Sequence, residues 1–374
     1  MASEPIAAPK RDVGLCLSGG GYRAAVFHLG SLIRLNEAGL LPRLRTVSSV
    51  SGGSIVAGLL GLRWARLQFD PDGRAGNLGE VIVDPVLEFT GRGLDVAAVL
   101  TSAFVPGLIS RRVQKRYRDL FGPATLAELP DRTGPDFVIT ATNLSTGALF
   151  RFSRRGVGDF RRGGDTSTGF FQAPTVPLTL AVAASSAFPP ILSPCVFDAS
   201  EHSDSRGAQR TVYLTDGGIY DNLGLEPLDD PAHRIVLSSD GGAPFKRKPK
   251  PPLDYLGGTV HVLKVVDLQV RKLRRQELIG SADPEKRRVA YWALNSTLSE
   301  YVDGGREHDP DFAPLEVSEE ARAEMMAIST RLAALERPQQ QRLINWGYAG
   351  CDAALRAYAV PGPRGTFPYP GGLS

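Results

Sequence analysis

"RTVSSVSGGSIVAGLLG", residues 45–61, sets four serines and two glycines in the seven positions from Ser48 to Ser54. Upstream, "RTVSSV" (45–50) reads as a short strand. Downstream, "GSIVAGLLGLRWARLQF" (53–69) is apolar nearly all round at its start, as a buried helix is. A nucleophile elbow needs small-x-Ser-x-small at such a strand-to-helix turn, because only small neighbours avoid clashing with its strained backbone. Centred on Ser51, the string reads Ser49-Val50-Ser51-Gly52-Gly53. Ser48 and Ser49 fall in the strand and Ser54 in the helix, so Ser51 is the serine at the turn.

Working outward, "DVGLCLS" (12–18) is a short apolar run leading into glycines, as a buried parallel strand does. In "YRAAVFHLGSLIRLNEAGLL" (22–41), Ala25, Leu29, Leu32 and Ile33 recur at helical spacing, with Gly39 as a C-terminal stop. The opening is therefore βαβα, which implies a parallel sheet covered by helices. Between the first strand and helix, "SGGGYR" (18–23) exposes backbone amides at a helix N-terminus and forms an anion site. A nucleotide phosphate or an oxyanion developing on a substrate carbonyl would fit it. Neither G-x-x-x-x-G-K-[ST] nor a G-x-G-x-x-G with its acidic partner is present.

Residues 70–134 read as an insertion, with helical stretches "VIVDPVLEF", "DVAAVLTSAFVPGLI" and the basic "SRRVQKRYRDLFG" between about 80 and 121. Strands resume at "DFVITATNLSTG" (136–147) and "ALFRFSRRG", then "TVYLT" (211–215) and "RIVLSS" (234–239). From about 254 the chain turns helical and charged. A core over 12–242 is expected, with a mainly helical extension over 243–374 packed on the same sheet.

The chain has 374 residues, 42% hydrophobic and 22% charged, which is a soluble globular composition. A net charge of +3 gives no global pointer to nucleic acid. Three scattered cysteines, Cys16, Cys195 and Cys351, argue for a reducing compartment and against a disulfide framework. No Cys-x-x-Cys suggests a metal, and no cofactor is indicated. There is no signal-peptide h-region, and no run nears the roughly 20 apolar residues of a membrane span. A cytoplasmic protein with at most peripheral membrane contact is expected. "SRRVQKRYR" (110–118), "FKRKPK" (245–250) and "VRKLRRQ" (270–276) are the basic stretches that would touch an anionic bilayer.

A serine hydroxyl needs a base. His28, His202, His233, His261 and His308 are available, and in the order Ser…Asp…His either His233 or His261 would serve. None sits at a glycine-marked loop after a strand. "VYLTDGGIYDNLG" (212–224) presents Asp216 at the carboxyl end of a strand, where ligands of parallel sheets bind, and an aspartate there can take the proton directly. "VLSSDGGAPF" offers Asp240 in the same form, and pattern alone does not separate the two.

Together the Gly-Gly-Gly-x-Arg loop, the serine elbow about thirty residues on and the distant Asp-Gly-Gly resemble the patatin-like phospholipases. "ITATNLSTGALFRFS" and "AVAASSAFPPILSP" look like internal segments of that family. The resemblance covers roughly residues 12–242 and implies an α/β fold with a mostly parallel sheet between helices. It implies a Ser–Asp dyad lipid acyl hydrolase, with Ser51 as nucleophile and Asp216, the closer match, as base. Gly19, Gly20, Gly21 and Gly52 would form the oxyanion hole, with Arg23 bracing the glycine loop. The implied substrate is a lipid, membrane phospholipid above all. An acyltransferase, a thioesterase or a silent lipid-binding module would share the same parts. The family's elbow usually begins with Gly where this chain has Ser49.

Overall fold

The computed structural model describes residues 10–93, 108–159, 170–189, 192, 194–201, 211–242, 244–245, 249–252, 254–329 and 332–373. Strand β1 (Val13–Leu17) leads into helix α1 (Gly21–Glu37), then β2 (Leu44–Val50) and α2 (Gly52–Leu62). β3 (Asp136–Asn143) follows the insertion, whose described helices are α3 (Asp84–Thr90) and α4 (Leu108–Phe121). Most of "DVAAVLTSAFVPGLI" lies outside the described residues. β4 (Leu149–Ser153), β5 (Gly156–Asp159) and β6 (Phe170–Phe171) form a meander, and α5 (Leu178–Ser185) leads to the hairpin β7 (Cys195–Asp198) and β8 (Thr211–Asp216). After α6 (Gly218–Asp221) come β9 (Ile235–Asp240), α7 (Tyr255–Gly280), β10 (Arg288–Ala293), α8 (Val302–Arg306), α9 (Glu319–Ala327) and α10 (Arg337–Tyr358).

The sheet runs β10-β9-β1-β2-β3-β4-β5-β6. Its first five strands are mutually parallel, and the meander beyond β3 is antiparallel. This is an α/β fold with a mixed, mainly parallel central sheet flanked by helices. The central strands β1, β2 and β9 are buried along their length except at Arg45, as strands covered on both faces must be. β10 lies in the stretch that reads as helical from sequence. "RVAYWA" is too short a run, between charged segments, for its period to announce a strand.

Helices α1 and α10 pack closely on each other. A Cβ at Gly30 would meet the Ile344 carbonyl oxygen at 2.0 Å, so glycine sets their approach. Trp292 of β10 and Trp346 of α10 are fully buried and belong to the same apolar core as β1 and β2.

β3 positions the site. β2 runs parallel to β3 until Val50 pairs with Thr140. β8 approaches β3 antiparallel, and its last residue, Asp216, pairs with Ala141. The two strands therefore end against adjacent residues of β3, and the elbow after Val50 faces the end of β8. Serine and aspartate, far apart in sequence, meet because two strand termini share this register.

Candidate active site

Ser51 is the one non-glycine residue at positive φ among the described residues, with φ 51° and ψ −115°. Backbone of this kind costs of order 1–3 kcal/mol and persists only where its surroundings enforce it. Three contacts do so here. The Ser51 N–H donates to Ser185 Oγ at 2.8 Å, and Gly53 N–H donates to the Ser18 carbonyl at 3.1 Å. The third is the bare backbone of Gly52, where a Cβ would meet the Gly21 carbonyl oxygen at 2.1 Å and Gly21 N at 2.9 Å. Elbow and glycine loop touch main chain to main chain.

Ser185 sits at the head of a hydroxyl chain. Its Oγ lies 2.9 Å from Ser54 Oγ, Ser54 donates to Ser49 Oγ at 3.0 Å, and Ser49 reaches the Val138 carbonyl at 3.5 Å. Each hydroxyl has one proton to give. With Ser49's directed at Val138 and Ser54's at Ser49, Ser185 donates to Ser54 and its lone pairs remain for the Ser51 amide. Ser49, where the resembled family has glycine, thus ends a chain that anchors the elbow.

Asp216 is 2% exposed and Ser51 9%. Asp216 Oδ1 accepts the Gly218 N–H at 2.7 Å, while Oδ2 is buried without a well-formed hydrogen bond. Burial pushes this carboxyl up to about 7, although Gly218 and the neighbouring Ser51 side chain favour its charged form. The negative field of Asp267 on α7 pushes it further in the same direction. The two side chains are adjacent but not closed into a short hydrogen bond. Such bonds often tighten only once substrate is bound. A carboxyl near 7 with one free oxygen beside a hydroxyl is equipped to take a proton at neutral pH.

Asp240 is equally buried but fully engaged. It accepts from Arg271 Nη2 and Tyr291 Oη, each at 2.8 Å, from the Gly242 N–H at 2.9 Å and from Ser18 Oγ at 3.2 Å. Arg271 and these donors hold its carboxyl below the usual range despite desolvation.

His28, His233 and His261 are engaged away from Ser51. His28 contacts Ser239 Oγ at 2.8 Å and the Ser18 carbonyl at 3.0 Å, and burial lowers it to about 4, so it is neutral. His233 binds Thr46 Oγ1 and the Leu228 carbonyl, at the far end of β2 from Ser51. His261 lies against the Phe245 ring, and His202 is outside the described residues.

At the glycine loop, the amides of Gly20, Gly21 and Gly52 have no backbone partner among the described residues. Gly19 N–H already donates to the Asn222 carbonyl at 3.2 Å, tying the loop to the segment after Asp216. Arg23 is buried, and its terminal nitrogens donate to the carbonyls of Ile328 and Gly241 at 2.8 and 2.9 Å. It braces the loop from behind, with both ends engaged. Ser185 and Asp267 carry no motif of their own, while Ser54 and Asn222 lie inside the elbow and Asp-Gly-Gly stretches without a role read for them from sequence. Ser185 lies within "AVAASSAFPPILSP", the single signal that pointed near it.

A strained serine on a strand-to-helix elbow, a buried carboxyl beside it and amides without backbone partners at two helix N-termini thus stand together at one edge of an α/β sheet. Residues 15–229 match the patatin-like phospholipase family, and the chain belongs to it. No curated protein matches the sequence significantly. Among solved structures, human GIVD cytosolic phospholipase A2 is similar at 14% identity and TM-score 0.49, over 94% of this chain and 63% of that one. Its complex with methyl gamma-linolenyl fluorophosphonate and terbium chloride gives 15% identity and TM-score 0.51, over 92% and 58%. VipD from Legionella pneumophila gives 16% identity and TM-score 0.39, over 94% and 68%. The chain thus spans about three-fifths of the length of the human enzyme chains. At these identities the likeness is one of fold.

Proposed function

We propose that the protein is a lipid acyl hydrolase of phospholipase A or lysophospholipase type, working through an acyl-serine on Ser51 with Asp216 as base. One observation carries this reading: the buried, half-partnered carboxyl of Asp216 stands beside the strained Ser51. Ser51 Oγ attacks the ester carbonyl carbon as Asp216 takes the hydroxyl proton. The oxygen that becomes negative is held by the amides of Gly20, Gly21 and Gly52. Collapse breaks the bond to the alcohol, which leaves with the proton from Asp216. Water then attacks the acyl-serine, its proton passes to Asp216, and the fatty acid departs as Ser51 regains its hydrogen. Each preorganised oxyanion donor is worth on the order of 10²–10³ in rate.

The human phospholipase of like fold was solved with a fluorophosphonate carrying a linolenyl chain, and that chemistry suits the test. A fluorophosphonate probe is expected to label the protein once, with the adduct on Ser51 by peptide mass spectrometry, and Ser51→Ala is expected to abolish labelling. Labelling of another serine, or none in a protein that cleaves esters, refutes the assignment.

A further inference from the structure

His28 has no part in the dyad, yet a run of buried hydrogen bonds leads through it into the elbow. His28 and Ser31 lie one turn apart on α1, on the face that meets β9. Trp292, Ser31, Ser239, His28 and Ser18 are all fully buried. Trp292 Nε1–H donates to Ser31 Oγ at 2.9 Å, Ser31 Oγ lies 3.0 Å from Ser239 Oγ, and Ser239 Oγ lies 2.8 Å from His28 Nδ1. His28 Nε2 is 3.0 Å from the Ser18 carbonyl oxygen. A carbonyl only accepts, so Nε2 carries the proton. The ring is neutral, lowered by burial to about 4, so Nδ1 is bare and takes the Ser239 hydroxyl proton. With that proton spent, Ser31 donates to Ser239, the Gly347 carbonyl being the more distant acceptor at 3.4 Å. Every bond in the run therefore points one way, from the β10 indole to the Ser18 carbonyl.

That carbonyl is where the glycine loop joins the elbow. Its second donor is the Gly53 N–H at 3.1 Å, on the first turn of the helix that Ser51 caps. The N–H of the same peptide unit, on Gly19, donates to the Asn222 carbonyl at 3.2 Å. Ser18 N–H donates to the Ser239 carbonyl at 3.1 Å, and Ser18 Oγ reaches Asp240 at 3.2 Å. The Ser18–Gly19 peptide is thus gripped at both polar ends, and its plane sets where the next amides, of Gly20 and Gly21, point. Those two amides belong to the loop and Gly52 to the elbow. The width of the hole they share therefore depends on how Ser18 holds one against the other. Gly53 alone would fill one of the two lone pairs of the carbonyl and leave its plane free to tilt. His28 fills the second, from a ring that Ser239 locks in one tautomer. Donors to a reacting atom need placement to within about 0.5 Å, which a doubly bonded carbonyl gives and a singly bonded one does not.

We propose that His28 is a positioning residue for the oxyanion hole: through the Ser18 carbonyl it fixes the glycine loop against the elbow that carries Ser51. This rests on the hydrolase reading above. The test is steady-state hydrolysis of a soluble short-chain nitrophenyl ester by the full chain and by His28→Leu and His28→Gln. Leucine fills the site and donates nothing, whereas glutamine can place an N–H where Nε2 stands. In His28→Leu, kcat is expected to fall about 10–10²-fold, with KM within about twofold of the parent. His28→Gln is expected to keep kcat within about fivefold. Trp346→Phe removes another buried indole bond, to the Leu294 carbonyl, and is expected to lower Tm without changing kcat. Amide exchange over 17–23 and 50–55 is expected to quicken about tenfold in His28→Leu, and two-bond nitrogen–proton spectra of the histidine-labelled parent to show Nε2 protonated and Nδ1 bare. Parental kcat in His28→Leu, a His28→Gln as slow as His28→Leu, or a proton on Nδ1 overturns the proposal. So does a Trp346→Phe slowed as much as His28→Leu, since lost stability would then explain both. Should His28→Leu not fold, a folded His28→Gln slowed beyond about fivefold overturns it in the same way. A parent that cleaves no ester removes the hydrolase reading instead, and exchange and tautomer then decide whether His28 holds the loop.

Discussion

Asp216 and Asp240 look alike in every local respect. Each ends a strand, each precedes two glycines, and each is almost fully buried. Their surroundings are opposite. Asp240 has a guanidinium, a phenol, a serine hydroxyl and an amide arranged around it. Asp216 has one amide, an oxygen without a partner and a serine close by. Burial is common to both, so burial alone does not make a base. Counter-charge converts one carboxylate into structure, and its absence leaves the other able to exchange a proton.

Exchanging each carboxylate for its amide is the sharpest way to break this comparison. Asp216→Asn keeps the shape and removes the base, so ester turnover is expected to fall by about 10²–10⁴-fold with the fold intact by circular dichroism. Asp240→Asn takes from buried Arg271 its nearer counter-charge, leaving Asp267 at 3.7 Å, and is expected to lose about 3 kcal/mol in denaturant unfolding. If Asp240→Asn silences a folded enzyme and Asp216→Asn does not, the roles are reversed.

The two carboxylates also pull stability in opposite directions with pH. Asp216 has its folded pKa raised to about 7, so it favours the folded state below its unfolded value and loses that contribution as pH rises toward and through 7. Asp240 has its folded pKa lowered, so its contribution is present above the unfolded value and disappears as pH falls through the folded one. Asp216→Asn is accordingly expected to raise Tm at pH 8 by more than at pH 5. Asp240→Asn is expected to lower Tm at neutral pH, by an amount that shrinks in acid. Only ionised Asp216 accepts a proton, so kcat/KM for a soluble ester is expected to rise with pH and reach half its plateau near pH 7. A plateau already complete at pH 5 would mean the catalytic base is not this raised carboxyl.

What was legible in the sequence was local. The elbow at Ser51 and the glycine loop announce themselves because small residues between a strand and a helix have few other uses. Which of the two Asp-Gly-Gly turns keeps a carboxyl oxygen without a partner was not legible from pattern, because Arg271 and Tyr291, which engage Asp240, sit on elements that pack against β9 only in the folded chain. The basic run at 270–276 has the same limit: it shows that cations are present, but helix phase and the acids at Asp240 and Glu226 decide that Arg271 and Arg274 turn to the protein. β10 was missed because a six-residue run between charged segments does not carry its own period. Local chemistry needs only neighbours, whereas charge pairing and edge strands depend on register set far away.

Ser49 gives the finest test, because it asks how much of the elbow depends on hydroxyl chemistry rather than on size. Ser185 holds the Ser51 amide directly, so Ser185→Ala leaves that buried N–H unpaired and is expected to lose about 1–3 kcal/mol. Ser49 stands two links further down. In Ser49→Ala, the Ser54 proton loses its acceptor but can turn back to Ser185, which then keeps its bond to the elbow amide. A loss of about 1 kcal/mol and less than tenfold in kcat is therefore expected, measured by thermal unfolding and steady-state hydrolysis. Ser49→Gly, with the residue usual in the resembled elbow, adds the extra freedom of glycine in a strand and is expected to be less stable than Ser49→Ala by about 0.5–1 kcal/mol. If instead Ser49→Gly is the more stable and the more active of the two, the chain from Ser185 to Val138 does not support the nucleophile. Size alone would then account for the position.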